Sequence, residues 1–145
     1  FALVDRDRCK ALNDLHGHQF GDAALVACAS AIRASGDRDA VAVRLGGEEF
    51  VVLLRGPRSL ERAEAMRRAI PMRIAKEVPG LDLPVTASMG VVVLADAAHH
   101  KMAFADFYAR ADALMYEAKA SGRNRLAYER LTLFPSAPEG RKAKD

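Results

Sequence analysis

Short apolar runs alternate with longer amphipathic stretches along this chain. Phe1–Val4 is an apolar run that stops abruptly in charge at Asp5, which is typical of a buried strand. Apolar residues then recur with helical spacing, and this stripe predicts a helix from Asp22, as its cap, to about Ser35. Gly36 is expected to end that helix.

A tight hairpin is predicted in the middle of the chain. Val41, Val43 and Leu45 alternate as in a strand, and Phe50–Leu54 is a continuous apolar run, as expected for a strand buried on both faces. Gly46 and Gly47 between them form a two-residue turn signal, because both can adopt positive φ.

The second half of the chain continues the alternation of helices and strands. The predicted elements are a helix capped by Ser59 and kinked or ended by Pro71, a strand over Val85–Leu94 with a bend at Gly90, an amphipathic helix ended by Gly122, and a closing strand over Arg125–Tyr128. The order β-α-α-β-β-α-β-α-β predicts an α/β sandwich of the α+β type. Its central sheet is expected to be mixed, largely antiparallel and flanked by helices.

Composition narrows the functional classes. The chain has 145 residues, 50% hydrophobic and 28% charged, which suits one globular domain. A formal charge of +3 is too small to indicate nucleic-acid binding, and no apolar run is long enough to form a membrane segment. Cys9 and Cys28 lack the spacing of a zinc site or disulfide framework, so we expect a cytoplasmic protein. Phe1 already lies in a strand pattern, which predicts that the chain is a piece of a longer protein.

Two places combine carboxylates with chain reversals. Asp5, Arg6 and Asp7 follow the first strand directly, where a carboxylate is held rigidly beside a crevice; a solvated loop or a helix cap explains the segment equally well. Glu48 and Glu49 lie between the glycine turn and a buried strand, where charge is costly unless it is paired or bound to metal. Hairpin solubility alone explains such a glutamate pair when it is considered in isolation.

A third polar stretch runs from Asn13 to Asp22 and contains two glycines. Glycine here indicates backbone that approaches a ligand closely, but a connector between two helices, with Asp14 as a cap, has the same composition. His16 and His18 lack a third soft ligand at a familiar spacing, so a zinc site is disfavoured.

Taken together, these segments resemble the GGDEF domain family, the diguanylate cyclases. The resemblance is carried by Asp5-Arg-Asp-Arg-Cys-Lys10-Ala-Leu-Asn13-Asp14, Gly17-His18-x-x-Gly21-Asp22, Arg44-Leu-Gly46-Gly47-Glu48-Glu49-Phe50, Val85-Thr86-Ala-Ser88-Met-Gly90 and Ala111-Asp112-Ala-Leu-Met-Tyr116-x-Ala-Lys119-x-x-Gly122-Arg123-Asn124. The segments follow the order and spacing of the family. The implied domain covers residues 1–128, without the usual N-terminal helix, and residues 129–145 form a polar C-terminal tail.

The resemblance implies a palm-like nucleotide-cyclase fold and a reaction that joins two GTP into cyclic di-GMP with release of pyrophosphate. It implies two divalent ions, Mg²⁺ or Mn²⁺, in each active site. The implied metal ligands are Asp5, the main-chain carbonyl of Arg6, Glu48 and Glu49, and Glu48 is also the implied catalytic proton acceptor. We give the metal role of Glu48 more weight, because a metal-bound carboxylate is a poor base.

The resemblance also implies how guanine is selected. Asp22 would accept hydrogen bonds from the N1–H and N2 amine of guanine, and Asn13 would pair with the remaining edge. Adenine lacks the N1–H, so it would leave the carboxylate unpaired. His18 either lies beside the nucleotide or supports the turn, and we give these two roles equal weight.

Three basic residues are the implied ligands of the GTP phosphates: Lys10, Lys119 and Arg123. Surface lysines are ordinarily just solvated, but Lys119 and Arg123 have i,i+4 spacing beside Gly122, which predicts one helix face. Thr86 and Ser88 are expected to be strand and packing residues.

The implied partners are GTP, a second copy of the domain for catalysis as a homodimer, and an upstream sensory or regulatory domain. The alternative function is a catalytically idle GTP-binding GGDEF module that regulates a neighbouring domain. Idle modules typically lose acidic residues of the hairpin, whereas Glu48 and Glu49 are both present here. A pure dimerisation module would not need Asn13, Asp22 and Asp5 together.

A product-binding motif found in many family members is missing from this sequence. The family pattern is Arg-x-x-Asp shortly before the hairpin, but here Asp37 stands at the arginine position and Ala40 at the aspartate position. A shift by one residue puts Arg38 in the first position and Val41 in the second. We therefore expect little product inhibition through this surface.

Overall fold

The first apolar run forms the central strand of a mixed sheet. The computed structural model describes residues 1–36, 38–95 and 101–131, and this part of the chain forms five strands and four helices. In chain order they are β1 (Ala2–Arg6), α1 (Cys9–His16), α2 (His18–Ser35), β2 (Val41–Gly46), β3 (Glu49–Leu53), α3 (Ser59–Glu77), β4 (Ala87–Leu94), α4 (Phe104–Ala120) and β5 (Leu126–Leu131). The predicted order of elements is confirmed.

The strands are arranged in the order β2-β3-β1-β4-β5. Strand β1 pairs antiparallel with both β3 and β4, and β2 pairs antiparallel with β3. Strand β5 runs parallel to β4, because α4 carries the chain back across the sheet between them. The predicted mixed, largely antiparallel sheet is therefore confirmed.

The two faces of the sheet are covered by different helices. Helices α2 and α3 pack on one face over a large cluster that includes Val4, Ile32 and Ile70. Helix α4 packs on the other face over a smaller cluster that includes Leu3 and Met115. Consecutive strand residues point to opposite faces, which is why Leu3 and Val4 belong to different clusters.

Two helices begin differently from the prediction. Helix α2 begins at His18, directly after Gly17 at φ 88°, so Asp22 lies inside the helix and is not its cap. A left-handed glycine reverses the chain between α1 and α2 without a side-chain cap. In α3, Ser59 is the first helical residue, and the capping position belongs to Arg58, whose side chain makes no capping hydrogen bond.

Helix α3 runs through Pro71 to Glu77, so of the two predicted outcomes, a kink or an end at Pro71, the end is wrong. A proline inside a helix removes one backbone hydrogen bond and costs about 3 kcal/mol. Ile70 and Ile74 on either side of it are fully buried in the large cluster. We attribute the continuation of the helix to this packing, which outweighs the local preference.

Gly90 does not interrupt β4, which runs unbroken from Ala87 to Leu94. A Cβ atom at Gly90 would lie 2.0 Å from the carbonyl oxygen of Ala111 and 2.6 Å from the amide nitrogen of Met115. The glycine therefore allows α4 to approach the sheet closely, and this contact, rather than a bend, explains its presence.

The remaining predictions concern the ends of the chain. The predicted domain boundary at residue 128 falls within β5, and residues 132–145 lie outside the described residues, so this division stays a prediction. Asp37, in the product-binding segment, also lies outside them. Within the described ranges, no helix combines the length and apolar character needed to cross a membrane.

Candidate active site

Strand pairing brings two of the predicted acidic segments together. Asp5 near the end of β1 lies opposite Glu49 on β3 and opposite Ser88 on β4. The segments are far apart in sequence, and they meet because β1 lies between β3 and β4. The predicted metal ligands Asp5, Glu48 and Glu49 therefore gather at one end of the central strands.

Asp5 lies in an environment that disfavours its negative charge. Burial raises the pKa of the Asp5 carboxyl to about 6, and although Lys119 opposes the shift, Glu49, Asp7 and Glu48 add to it. The Lys119 ammonium lies 3.8 Å from Asp5 Oδ2. Burial is the main cause of this shift and the neighbouring acids add to it, so a cation bound beside Asp5 would favour its ionised form.

The hairpin turn directs its two glutamates to different partners. Gly46 and Gly47 both have positive φ, 144° and 50°, as predicted. Gly46, however, is the last residue of β2 and pairs with Glu49, so the two turn residues are Gly47 and Glu48 rather than the predicted Gly46 and Gly47. Glu49 accepts a hydrogen bond of 2.8 Å from the Tyr108 hydroxyl on α4, and this bond raises the pKa of Tyr108 to about 12. Glu48 forms an ion pair with Arg6 on β1.

Asp7 is an acidic residue whose importance the sequence interpretation missed. It is 3% exposed and accepts hydrogen bonds from Thr86 Oγ1 at 2.6 Å, Ser88 Oγ at 2.7 Å, Lys119 Nζ at 3.2 Å and the Asn124 amide at 3.1 Å. Burial opposes ionisation of Asp7, but these hydrogen bonds prevail and keep its pKa below the ordinary value. We call Asp7 and its four donors the Asp7 clasp.

The clasp corrects the interpretation of Thr86 and Ser88 as simple strand and packing residues. Both hydroxyls donate to Asp7, and Ser88 is fully buried while doing so. Ser88 lies in β4 and Thr86 directly precedes it, and their spacing of two residues, which puts both on one side of an extended chain, was the available signal. Through them the clasp joins β1, β4, α4 and the turn before β5.

The three predicted phosphate ligands lie in different surroundings. Lys119 points at Asp7 and Asp5, whereas Lys10 is exposed on α1 and pairs with Asp14 at 3.1 Å. Helix α4 ends at Ala120, so Arg123 lies in the following turn and the predicted common helix face is wrong.

Arg123 contributes to a cavity of about 500 Å³ between α1 and the turns before β4 and β5. Its Nε atom is buried without a hydrogen-bond partner among the described residues. The cavity is within the size range of small-molecule sites. Asn13, His18 and Asp22 do not line it, so the structure does not bring all the predicted substrate ligands into one cavity.

The predicted guanine ligands lie on α1 and α2. Asp22 and His18 are exposed, whereas Asn13 is partly buried and its Oδ1 has no hydrogen-bond partner within the described part of the chain. A Cβ atom at Gly21 would lie 1.8 Å from Asn13 Oδ1. Gly21 therefore makes room for an amide that keeps an unused acceptor beside Asp22.

Asp14, the cap of the predicted helix connector, is not a cap. Asp14 lies within α1 and pairs with Lys10, and His16 stacks on Phe20 with ring centroids 5.0 Å apart.

The oxygen donors fit a hard divalent cation by their chemistry. Asp5, Glu48, Glu49 and the Arg6 carbonyl offer the carboxylate and carbonyl oxygens that Mg²⁺ prefers. Across residues 1–36, 38–95 and 101–131, however, no three side chains of His, Cys, Asp or Glu form a cluster that could hold a metal ion. Instead, Glu48 is paired with Arg6 and Glu49 with Tyr108.

Comparison with known proteins identifies the family. The family described as "Diguanylate cyclase, GGDEF domain" matches residues 1–125. Diguanylate cyclase DgcM of Escherichia coli K12 is 38% identical over 128 residues, which cover 86% of this chain and 29% of that protein. The Biofilm architecture maintenance protein MbaA of Vibrio cholerae is 33% identical over 135 residues, covering 86% of this chain and 17% of MbaA. The chain belongs to the GGDEF domain family, as the motifs predicted, and spans less than a third of these two relatives.

Solved structures of GGDEF domains are similar to this chain in both fold and sequence. The active GGEEF domain of a diguanylate cyclase from Vibrio cholerae matches with a TM-score of 0.69 and 30% identity, covering 90% of this chain and 82% of that one. The GGDEF domain of DgcB from Caulobacter crescentus, in complex with c-di-GMP, matches with a TM-score of 0.69 and 30% identity, covering 88% and 75%. The predicted cyclase-like fold is confirmed.

Proposed function

We propose that this domain is a diguanylate cyclase, which condenses two GTP molecules into cyclic di-GMP and releases pyrophosphate. The observation that carries the proposal is the pairing of Asp5 with Glu49 across neighbouring strands, beside Glu48, in a chain of the GGDEF family. The position of Glu49, Asp7 and Glu48 close enough to raise the pKa of Asp5 supports it, because divalent ions in proteins are held by grouped carboxylate oxygens.

We assign Asp5, the Arg6 carbonyl, Glu48 and Glu49 as the groups that hold two divalent ions, Mg²⁺ or Mn²⁺. When bound, the ions supply charge neutralisation for the leaving pyrophosphate and lower the pKa of the attacking 3′-hydroxyl. The Arg6 carbonyl already accepts a hydrogen bond from Cys9 Sγ at 3.3 Å, which leaves at most one lone pair for a metal ion. We assign Glu48 mainly to metal binding and give less weight to its role as the proton acceptor.

We assign guanine recognition to Asn13 and Asp22. The support is the unused Oδ1 of Asn13, which needs a donor, and the exposed carboxylate of Asp22 on the next helix. Guanine offers two adjacent donors, and a carboxylate accepts both, so a nucleotide without the N1–H would leave the Asp22 carboxylate without one of these donors. His18, the first residue of α2, is assigned either to the nucleotide or to the turn.

Phosphate binding is assigned to Lys10, Lys119 and Arg123. Arg123 has a buried guanidinium nitrogen without a partner in the described part of the chain, so an anion there would satisfy it. Lys119 would exchange or share its carboxylate partners with phosphate oxygens. Lys10 would have to leave its exposed pair with Asp14, which costs little.

We infer that catalysis requires two domains. Each 3′-hydroxyl must attack the α-phosphorus of the other GTP, so two copies have to face each other with two-fold symmetry. We propose that the domain acts in the cytoplasm and is controlled by an upstream sensory or regulatory domain, as its match to short parts of longer relatives suggests.

The test is incubation of the 145-residue chain with GTP and Mg²⁺, followed by chromatography against a cyclic di-GMP standard. Specific activity should rise with protein concentration as dimers form. The matched control is Glu48→Gln, which keeps the shape of the side chain, removes its charge and should abolish turnover in a folded protein. Absence of product from the wild type at every concentration would refute the activity, and near-normal turnover by the variant would refute the role of Glu48.

One observation favours the second candidate, a catalytically idle GTP-binding module. Glu48 is already neutralised by Arg6, and within the described ranges the acidic side chains do not form a metal cluster. Such a module would bind GTP and give no cyclic di-GMP. Measuring GTP binding by calorimetry in parallel with product formation separates the two functions.

A further inference from the structure

Arg6 is a buried cation on the side of β1 that otherwise builds the core. By strand alternation it shares a face with Ala2 and Val4, both members of the large cluster. Its side chain is nearly inaccessible, with 2% of the residue exposed. A guanidinium in such a place is costly unless an anion compensates it, so the sequence position calls for a specific partner.

The partner is the hairpin glutamate assigned above to metal binding. Arg6 Nε donates to Glu48 Oε1 at 2.7 Å, and Arg6 Nη2 donates to the same oxygen. The Glu48 side chain is 28% exposed, so the ion pair connects the core to the accessible edge of the site. Arg6 Nη1 is buried without a hydrogen-bond partner among the described residues, so Glu48 does not satisfy the whole guanidinium.

We propose that Arg6 is a built-in counter-cation that competes with the divalent metal for Glu48, so that the nucleotide-free domain holds metal weakly. The inference rests on the proposed function, since it takes Glu48 as a metal ligand. A metal ion on Glu48 would share its carboxylate with a buried positive charge that cannot move into water, and like charges at short range repel. The negative charge of the GTP triphosphate offsets this repulsion, so metal and nucleotide would bind together.

The probe is Mn²⁺, whose free concentration is measured from its electron paramagnetic resonance signal in the absence of nucleotide. Arg6→Met replaces the cation with an apolar side chain of similar length and should tighten Mn²⁺ binding about tenfold. Arg6→Leu is the second variant, and circular dichroism checks that both fold; the charge that each leaves on Glu48 is 28% exposed and can be solvated, which limits the cost of removing its partner. The double variant Arg6→Met with Glu48→Gln should lose the gain.

A matched charge control is available on α4. Arg110→Leu removes one positive charge from an exposed pair with Glu129 at 2.8 Å, and it should leave Mn²⁺ affinity unchanged. An equal gain in this variant would show a general charge effect and overturn the role of Arg6. Unchanged or weaker Mn²⁺ binding in both Arg6 variants would overturn it as well, and so would absence of Mn²⁺ binding in every variant.

The cyclic di-GMP assay on the same preparations distinguishes failure of this inference from failure of the proposed function. If the wild type makes cyclic di-GMP but the Arg6 variants bind Mn²⁺ no more tightly than the wild type does, only the competition between Arg6 and the metal ion is refuted. If the wild type makes no cyclic di-GMP, but Arg6→Met binds Mn²⁺ more tightly and loses this gain when Glu48→Gln is added, only the cyclase activity is refuted.

Discussion

The Asp7 clasp and the hairpin carboxylates lie at the same end of the sheet, but they use their oxygens differently. Asp7 is buried and accepts four hydrogen bonds from three other parts of the chain. Glu48 and Glu49 are half-buried, and the hydrogen bonds from Arg6 and Tyr108 each end on a single oxygen, Oε1. The oxygens of Asp7 are therefore occupied by hydrogen bonds within the protein, whereas Glu48 and Glu49 each keep an oxygen that can bind an added cation.

The same comparison explains why neighbouring acids have opposite pKa shifts. The donors around Asp7 outweigh burial and lower its pKa, whereas Asp5, two residues earlier, has its pKa raised to about 6 by burial and by other acids. The number of hydrogen-bond donors around each carboxylate, more than burial alone, therefore decides that Asp7 has a structural role and that Asp5 is available for a ligand.

The largest expected effect comes from breaking the clasp. Asp7→Asn should lower the free energy of unfolding by about 3 kcal/mol, because it removes one partner of a buried charged pair and leaves donors mismatched. Urea unfolding followed by circular dichroism measures this change. Glu49→Gln is the matched control, with the same chemical change at an accessible carboxylate, and should cost less than about 1 kcal/mol. Equal losses would contradict the distinction.

The next effect separates ligand binding from stability at Asn13. Gly21→Ala would place a methyl group 1.8 Å from Asn13 Oδ1 and drive that short side chain away. GTP affinity should fall about tenfold, or about 1.4 kcal/mol. Stability should change by less than about 1 kcal/mol, because alanine favours the helix. Calorimetry gives the affinity, and Gly21→Ala in an Asn13→Ala background should cause no further loss if the effect acts through Asn13.

A smaller effect sharpens the description of the clasp as one unit. Ser88→Ala should cost about 1 kcal/mol of stability, the usual contribution of a hydrogen bond. In the Asp7→Asn background the same substitution should cost clearly less, since the acceptor is already altered. Additive losses in the double-mutant cycle, measured by urea unfolding, would mean that Ser88 acts by packing alone.

The smallest effect concerns the Tyr108–Glu49 bond at high pH. The Tyr108 hydroxyl has its pKa raised to about 12 by that bond, so it stays neutral where an unfolded tyrosine, near 10, ionises. Its contribution to stability is therefore complete below about pH 10 and is lost as pH rises through about 12. Ultraviolet titration of the phenols should show the high-pKa group, and Glu49→Gln should lower its pKa. If Glu49→Gln leaves the phenol titration unchanged, the hydrogen bond between Tyr108 and Glu49 does not exist in solution.

Much of the fold could be predicted because each element carries its own periodicity. The apolar run around Phe50 and the stripe of α2 are local signals that local structure followed, and the hairpin glycines predicted the chain reversal one residue too early. The errors at Asp22 and Pro71 arose where a neighbour decided the outcome. Gly17 allowed α2 to start early, and the buried isoleucines of α3 carried that helix past the proline.

The candidate site was predicted in part for the same reason. The acidic motifs stand out in the sequence, and strand pairing brought Asp5 and Glu49 together. The roles of Asp7 and Arg6 could not be predicted, because their partners are distant in sequence: Glu48 is 42 residues from Arg6, and Ser88 is 81 from Asp7. A charged residue in a strand pattern does not tell by itself which residue will neutralise it.

The central position of β1 has a consequence for the order of assembly during folding. The β2–β3 hairpin joins residues that are close in sequence, so it can close quickly, whereas Ala2 lies opposite Val52 on one side and Val91 on the other. Closing long loops costs entropy before any contact repays it, and such topologies fold slowly. On a ribosome, β1 would leave the exit tunnel before the other four strands and wait for both neighbours, so its apolar residues would need protection until β3 and β4 follow.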